Sequence, residues 1–322
     1  MKIFTNYKSV AEHTKDSILL LGNFDGVHRG HQKIINSAKK IQSKKNKKVG
    51  VLLFDPHPKI FFKKEKRNFL LTQIDKRCEI LKTYGVDYVI ILKFSSSVAK
   101  MTPHYFCSKI LRDGIQMKYI FVGKNFKFGT NRSGDYKYLK DFGKKNNFLV
   151  SPVSIFKLPV SLSKYFKKKI FSSSNVRLAI ENGKIKLANK ILGRSWFVFG
   201  KVIQGDQRGR FIGFPTANIE IEGYSQPNYG VYAVTVKIIN KSKRNMDYKG
   251  IANFGIRPTF NKKKPLLEVY LFYFNLNIYN STLKVNFIDF IRNEKKFSGI
   301  DSLKIQLNKD ILKAKQILRE AT

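Results

Sequence analysis

Gly22–Gln32 reads GNFDGVHRGHQ and directly follows the apolar run Ile18–Leu21. A short apolar run stopped by glycine reads as a buried strand. Beyond it, Ile34, Ile35, Ala38 and Ile41 recur on one side from Gly30 to about Ser43, the period of an amphipathic helix. The segment is therefore a strand, a turn and a helix. Val49–Phe54 reads as the next strand and ends at Asp55–Pro56. A helix over Ile74–Thr83 precedes a strand over Tyr88–Leu92. Thr102–Pro103 is a cap-plus-N1 pair for a helix running to Leu111. Tyr119–Val122 is a further strand, closed by Gly123. This alternation predicts a Rossmann-like parallel α/β sheet, whose ligand sites lie beyond the carboxyl ends of the strands. Gly22–Gln32 and Gly123–Asp135 both fall there.

After a helical stretch near Asn175–Leu192 the pattern changes. Trp196–Ile203, Ala217–Glu222, Val231–Ile239, Tyr248–Phe254, Glu268–Phe272 and Leu283–Phe290 read as strands with no helices between them. Such a series predicts a small closed antiparallel barrel. A final amphipathic helix, about Ser302 to Arg319, offers Leu303, Ile305, Leu307, Ile311, Ile317 and Leu318 for packing. The domain boundary is expected near Gly183–Arg194, with domains over residues 1–185 and 186–322.

The chain has 322 residues, enough for two domains, and is 43% hydrophobic, which argues against wholesale disorder. Its two cysteines, Cys78 and Cys107, cannot form a zinc site alone and suit a reducing compartment. The N-terminus lacks the apolar core of a signal peptide, and no apolar run approaches the roughly 20 residues that span a bilayer. A cytoplasmic location is expected. The net charge of +40 would attract polyanions, but most of it is lysine scattered over nearly every segment. Runs such as Lys44–Lys48 and Lys262–Lys264 read as solvated loops or helix ends. The expected partners are small anions, with no obligate nucleic acid, no membrane, and a monomeric or weakly self-associating chain.

Two constellations carry the chemistry. His28 and His31 are three apart at a helix start, so they share a face beside free N–H groups. Gly30 removes a side chain between them, and the helix N-terminus favours phosphate. Imidazoles and N–H donors there suit the charge that grows when an α-phosphorus is attacked. A turn histidine with packed neighbours, or a metal pair lacking a regularly spaced third ligand, are the alternatives. In the second constellation, Gly205, Arg208, Gly209, Arg210 and Gly213 lead into Phe214–Asn218, FPTAN. Glycines there let N–H groups wrap a phosphate while the arginines add charge. Thr216 and Asn218 face the same way on an extended segment, a hydroxyl and a carbonyl suited to Mg²⁺. Glu268 opens an apolar strand, where an unpaired carboxylate is costly; a bound hydroxyl would explain it, with a strand-end salt bridge as the rival.

The motifs resemble those of the bacterial bifunctional riboflavin kinase/FMN adenylyltransferases, also called FAD synthetases. HRGH at His28–His31 is similar to the HxGH motif of nucleotidyltransferases. FDPHP at Phe54–Pro58, FVGKNFKFGTNRSGD at Phe121–Asp135 and FSSSNVR at Phe171–Arg177 narrow that resemblance. It implies that His28 and His31 act on the α-phosphate, with Gly22, Asn23, Phe24 and Gly30 around it. By the same resemblance Ser172, Ser173 and Arg177 would hold the β/γ phosphates. Asn23, Asn125, Phe126 and Arg132 would lie toward the flavin. Asn125 stands where the family usually has an acidic residue, and Ser174 where it usually has Thr.

The second half resembles the family's riboflavin kinase through GFPTANI at Gly213–Ile219, GVYAV at Gly230–Val234, IANFGIRPTF at Ile251–Phe260 and IRNEKKF at Ile291–Phe297. Thr216 and Asn218 would then bind Mg²⁺ and ATP, Glu268 would activate the riboflavin 5′-hydroxyl, and Arg292 would orient the flavin. The resemblance implies an α/β nucleotidyltransferase domain followed by a riboflavin kinase β-barrel with a C-terminal helix. The substrates and products would be ATP, riboflavin, FMN and FAD. A riboflavin kinase with a weakened or retargeted first domain, and a basic RNA-binding regulator, are the competing expectations.

Overall fold

The computed structural model describes residues 1–62, 68–205, 208–239, 246–256 and 265–321. Asp206 and Gln207, the Lys262–Lys264 run and the Arg257–Phe260 part of IANFGIRPTF lie outside the described residues. The chain divides into two compact units, Met1–Arg67 with Gln73–Ser173 and Asn68–Thr72 with Ser174–Thr322.

The first unit contains β1 (Lys2–Phe4), β2 (Ile18–Leu21), β3 (Val49–Asp55), β4 (Tyr88–Lys93), β5 (Tyr119–Gly123), β6 (Lys127–Phe128), β7 (Gly134–Asp135) and β8 (Leu149–Val153). Six of them form a parallel sheet in the order β1-β4-β3-β2-β5-β8, and β6 pairs with β7. All four residues of β2 are buried, as expected when helices cover both faces of a parallel sheet. The chain steps outward from β2 through β3 to β4, then returns to place β5 on the other side of β2. That reversal opens a crevice beyond the carboxyl ends of β2 and β5.

The helix expected from Gly30 to about Ser43 spans Arg29–Lys45, and the one expected over Ile74–Thr83 is present. Thr102 caps its helix, with its hydroxyl accepting from the Tyr105 N–H at 3.1 Å. That helix continues beyond Leu111 as a π-helix over Phe106–Ile115. Elements additional to the sequence expectations include β1, β8 and the helix Tyr136–Lys145, which Asp135 caps. The two strands are edges of the sheet. β1 is three residues long, and β8 contains Pro152, which an edge tolerates because one side of it needs no partner.

In the second unit β9 (Trp196–Ile203), β10 (Ala217–Ile219), β11 (Gly230–Ile239), β12 (Asp247–Ile256), β13 (Pro265–Leu271) and β14 (Thr282–Arg292) close a barrel in the order β10-β13-β12-β11-β14-β9. Alternate residues such as Leu267, Val269 and Leu271 are buried while Glu268 and Tyr270 are only half-buried. The helix Ile300–Glu320 packs Ala314, Ile317 and Leu318 onto Val231, Ala233 and Ile251. Ile305, expected to pack, is 58% exposed: it lies two residues from Leu307, about 200° around the helix, and so faces away. The segment 68–72 also belongs to this unit. Leu70 exchanges backbone hydrogen bonds with Gly223 and Ser225, and the Leu71 carbonyl accepts from the Trp196 indole at 3.1 Å.

Candidate active sites

In the first unit, the turn after β2 brings the histidines together. His28 is the N-cap of the helix Arg29–Lys45, and its Nδ1 accepts from the Gly30 N–H at 3.1 Å. That contact leaves Nε2 as the ring's donor. The His28 and His31 rings stack with centroids 3.7 Å apart, and Phe24 lies 4.8 Å from His31. Phe24 and Val27 both have left-handed backbones, φ 49° and 39°, strained for a bulky and a β-branched residue. Burial of both side chains holds the strain in place. Phe24 can therefore meet a ligand only through its backbone. A Cβ on Gly30 would come within 2.9 Å of the His28 ring and 3.1 Å of the Phe171 carbonyl. The glycine thus makes room for the capping histidine itself.

Arg77, on the helix Ile74–Thr83, carries no sequence signal yet holds this turn. Its guanidinium donates to the Asn23 carbonyl at 3.0 Å and to Asp25 Oδ1 at 3.3 Å. The side chains of Arg77 and Asp25 are 2% and 1% exposed. The Ser173 hydroxyl donates to the Asp25 carbonyl at 2.8 Å. A buried guanidinium spans five donors in a fixed plane, so it fixes the position of every carbonyl it meets. Asn23 Oδ1 is buried and has no hydrogen-bond partner among the described residues.

At the end of β5, Asn125 is exposed, Phe126 stacks on Phe128 at 5.6 Å, and Arg132 is exposed with φ 58°. Asp135 accepts from the Lys137 and Tyr138 N–H groups and from Lys127 Nζ. These bonds, the Tyr138 N–H foremost, hold its carboxyl below the usual range. Ser172 is half-buried at the end of the first unit. Arg177 belongs to the second unit, where its Nε donates to the Phe69 carbonyl at 2.7 Å and its guanidinium lies 3.7 Å over the Phe69 ring.

In the barrel, one row of cross-strand partners runs Asn218–Glu268–Asn253–Val231–Arg292. Glu268, Asn253, Val231 and Arg292 line a pocket of about 550 Å³, together with Thr216 and Tyr270. A second pocket of about 440 Å³ includes Arg210, Pro215, Thr216 and Asn277. Gly209 and Thr216 line both, so the two cavities share a wall. Arg208–Phe211 forms one helical turn, and Gly213 is left-handed at φ 86°. A Cβ on Gly205 would meet Asn218 Nδ2 at 2.0 Å. Gly205 is therefore what admits the Asn218 amide. Asn218 Oδ1 is buried and, among the described residues, has no hydrogen-bond partner. No group of three or more His, Cys, Asp or Glu that could hold a metal occurs among the described residues. A hydroxyl and an unclaimed carbonyl fit a hard cation that completes its shell with phosphate oxygens.

The histidine turn thus belongs to the first compact unit and the pocket beside Glu268 to the second. The family model FAD synthetase matches residues 10–161, and the model riboflavin kinase matches residues 192–318. A relative from Buchnera aphidicola (Schizaphis graminum), named bifunctional riboflavin kinase/FMN adenylyltransferase, is 37% identical over 97% of both chains. One of the same name from Haemophilus influenzae is 37% identical over 92% of each. A solved structure described as a macrolide-efflux protein from Streptococcus pneumoniae aligns with TM-score 0.84 and 31% identity, covering 97% of this chain and 98% of that one. No helix among the described residues is long and apolar enough to cross a membrane. The chain belongs to the bifunctional riboflavin kinase/FMN adenylyltransferase family.

Proposed function

We propose that this chain makes FAD from riboflavin in two transfers, with residues 186–322 as the kinase and residues 1–185 as the adenylyltransferase. In the barrel, the riboflavin 5′-hydroxyl oxygen bonds to the γ-phosphorus of ATP as the bond to the β-phosphate oxygen breaks. Glu268 takes the hydroxyl proton, and FMN and ADP leave. The observation that carries this step is Glu268 on a pocket wall beside Asn218 and Thr216. Arg292 on the same wall supports a flavin there. The adjoining cavity with Arg210 suits ATP. Thr216 and Asn218 would hold Mg²⁺, which supplies charge neutralisation on the transferred phosphates.

In the first unit, an FMN phosphate oxygen attacks the α-phosphorus of a second ATP, and pyrophosphate leaves. His28 offers Nε2–H to the oxygens that gain charge, next to His31 and the first N–H groups of its helix. Asn23 and the Gly22–Phe24 backbone line the same turn. Asn125, Phe126 and Arg132 follow β5 on the flavin side. Ser172 and Ser173 are assigned to the leaving pyrophosphate. The setting is cytoplasmic, consistent with the two buried free cysteines. The chain acts without nucleic acid or membrane, as a monomer or weak homo-oligomer.

Chromatography of products from riboflavin, ATP and Mg²⁺ tests this reading. FMN appearing first and FAD later is the expected course. Folded protein that forms neither would overturn it.

A further inference from the structure

We propose that Asp310, on the C-terminal helix, is a positioning residue that sets the plane of Arg292 in the riboflavin pocket. This inference rests on assigning the pocket beside Glu268 to riboflavin. Arg292 ends β14 and lies in the same cross-strand row as Glu268. Its Nε lies 3.0 Å from both carboxylate oxygens of Asp310, and a terminal nitrogen lies 2.8 Å from Oδ2. The other terminal nitrogen donates to the Asn293 carbonyl at 2.9 Å. Gln306 donates to Asp310 Oδ1 at 2.8 Å and so holds the carboxylate in turn. The Asp310 side chain is 2% exposed and that of Arg292 15%.

The Nε edge of the guanidinium is thus committed to Asp310, and one N–H of the other terminal nitrogen to Asn293. What Arg292 offers the pocket is a flat face and an apolar stem, fixed in angle by a bidentate pair. The same helix contributes Ile300, Leu303 and Leu307 to the pocket. Asp310 therefore ties the helix and Arg292 into one rigid side of the flavin site.

The test uses the full chain with Asp310→Asn, Asp310→Glu, Arg292→Gln and the Asp310→Asn/Arg292→Gln double variant. Riboflavin and ATP are varied separately, and FAD formation from supplied FMN is followed in the same preparations. Trp196, the single tryptophan and buried in the barrel, reports folding of that unit. Asp310→Asn should raise the KM for riboflavin about tenfold, the loss expected for a charge-assisted bond. The kcat, the KM for ATP and adenylylation should stay near wild type. In the Arg292→Gln background, Asp310→Asn should add nothing. An unchanged KM for riboflavin, or additive effects, would overturn the proposal. So would loss of buried Trp196 emission in Asp310→Asn and Asp310→Glu alike, which would make Asp310 a folding residue. A wild-type chain that phosphorylates no riboflavin would remove the pocket assignment itself, an outcome distinct from these.

Discussion

Glu268 and Asn218 are direct cross-strand partners between β13 and β10, and Glu268 is also the partner of Asn253 on β12. Opposed residues point to the same side of a sheet, so the carboxylate lies between two carboxamides. Glu268→Gln keeps the shape and removes the base. FMN formation should fall by about 100-fold or more, while FAD formation from supplied FMN persists. Separate rate measurements on the two substrates check this.

Asn218 carries a buried carbonyl that nothing in the described protein satisfies. Asn218→Leu should abolish phosphorylation yet leave the barrel as stable or about 1 kcal/mol more stable, since an unmet polar group is costly. Urea unfolding followed by Trp196 emission measures the second half of this expectation. Marked destabilisation would show that the amide is structural.

His28 serves both as a cap and as a donor to phosphate. His28→Asn retains a capping oxygen, so adenylylation should fall about 100-fold with little change in Tm. His28→Ala should lose activity equally and a further 1 kcal/mol or so of stability. Thermal unfolding by circular dichroism separates the two effects.

Arg77→Met removes one partner of a buried ion pair and strands Asp25. The first unit should lose about 3–5 kcal/mol. Pairing it with Asp25→Leu should recover part of that loss, because no charge then remains buried. Denaturant titration of the single and double variants provides the comparison.

Asp135 has a depressed carboxyl pKa in the folded chain. Its folded form therefore binds fewer protons than the unfolded one just below the ordinary carboxylate value of 3.8. Its contribution is present in full above that value and is lost as pH falls through the lower folded pKa. Asp135→Asn should be less stable than wild type at neutral pH, and the gap should close as acid protonates the native carboxyl. A gap that holds constant to low pH would contradict this origin.

Much of the architecture was legible because it follows from periodicity. The four central strands of the sheet are continuous apolar runs, and the barrel strands show as six apolar stretches set off by Gly, Asn and Pro. The edge strands β1 and β8 were not, since a short strand buried on one side resembles a loop. Ile305 faces away from the core although it is apolar, because an apolar side chain says nothing of its angle until the helix is docked. Arg77 and Asp310 were invisible for a related reason: each is one charged residue on an ordinary helix, and its partner lies far away in sequence.

The order of motifs along the chain was sufficient to indicate two halves of different fold class, each with its own transfer activity. Glycines, histidines and the FPTAN string impose local backbone and donor patterns that need no distant contact. Only the tertiary structure decided that Glu268 lies between Asn218 and Asn253, that Arg77 holds the histidine turn, and that Asp310 commits the edge of Arg292. Those relations depend on strand register and helix docking, which bring together groups that the chain itself keeps apart.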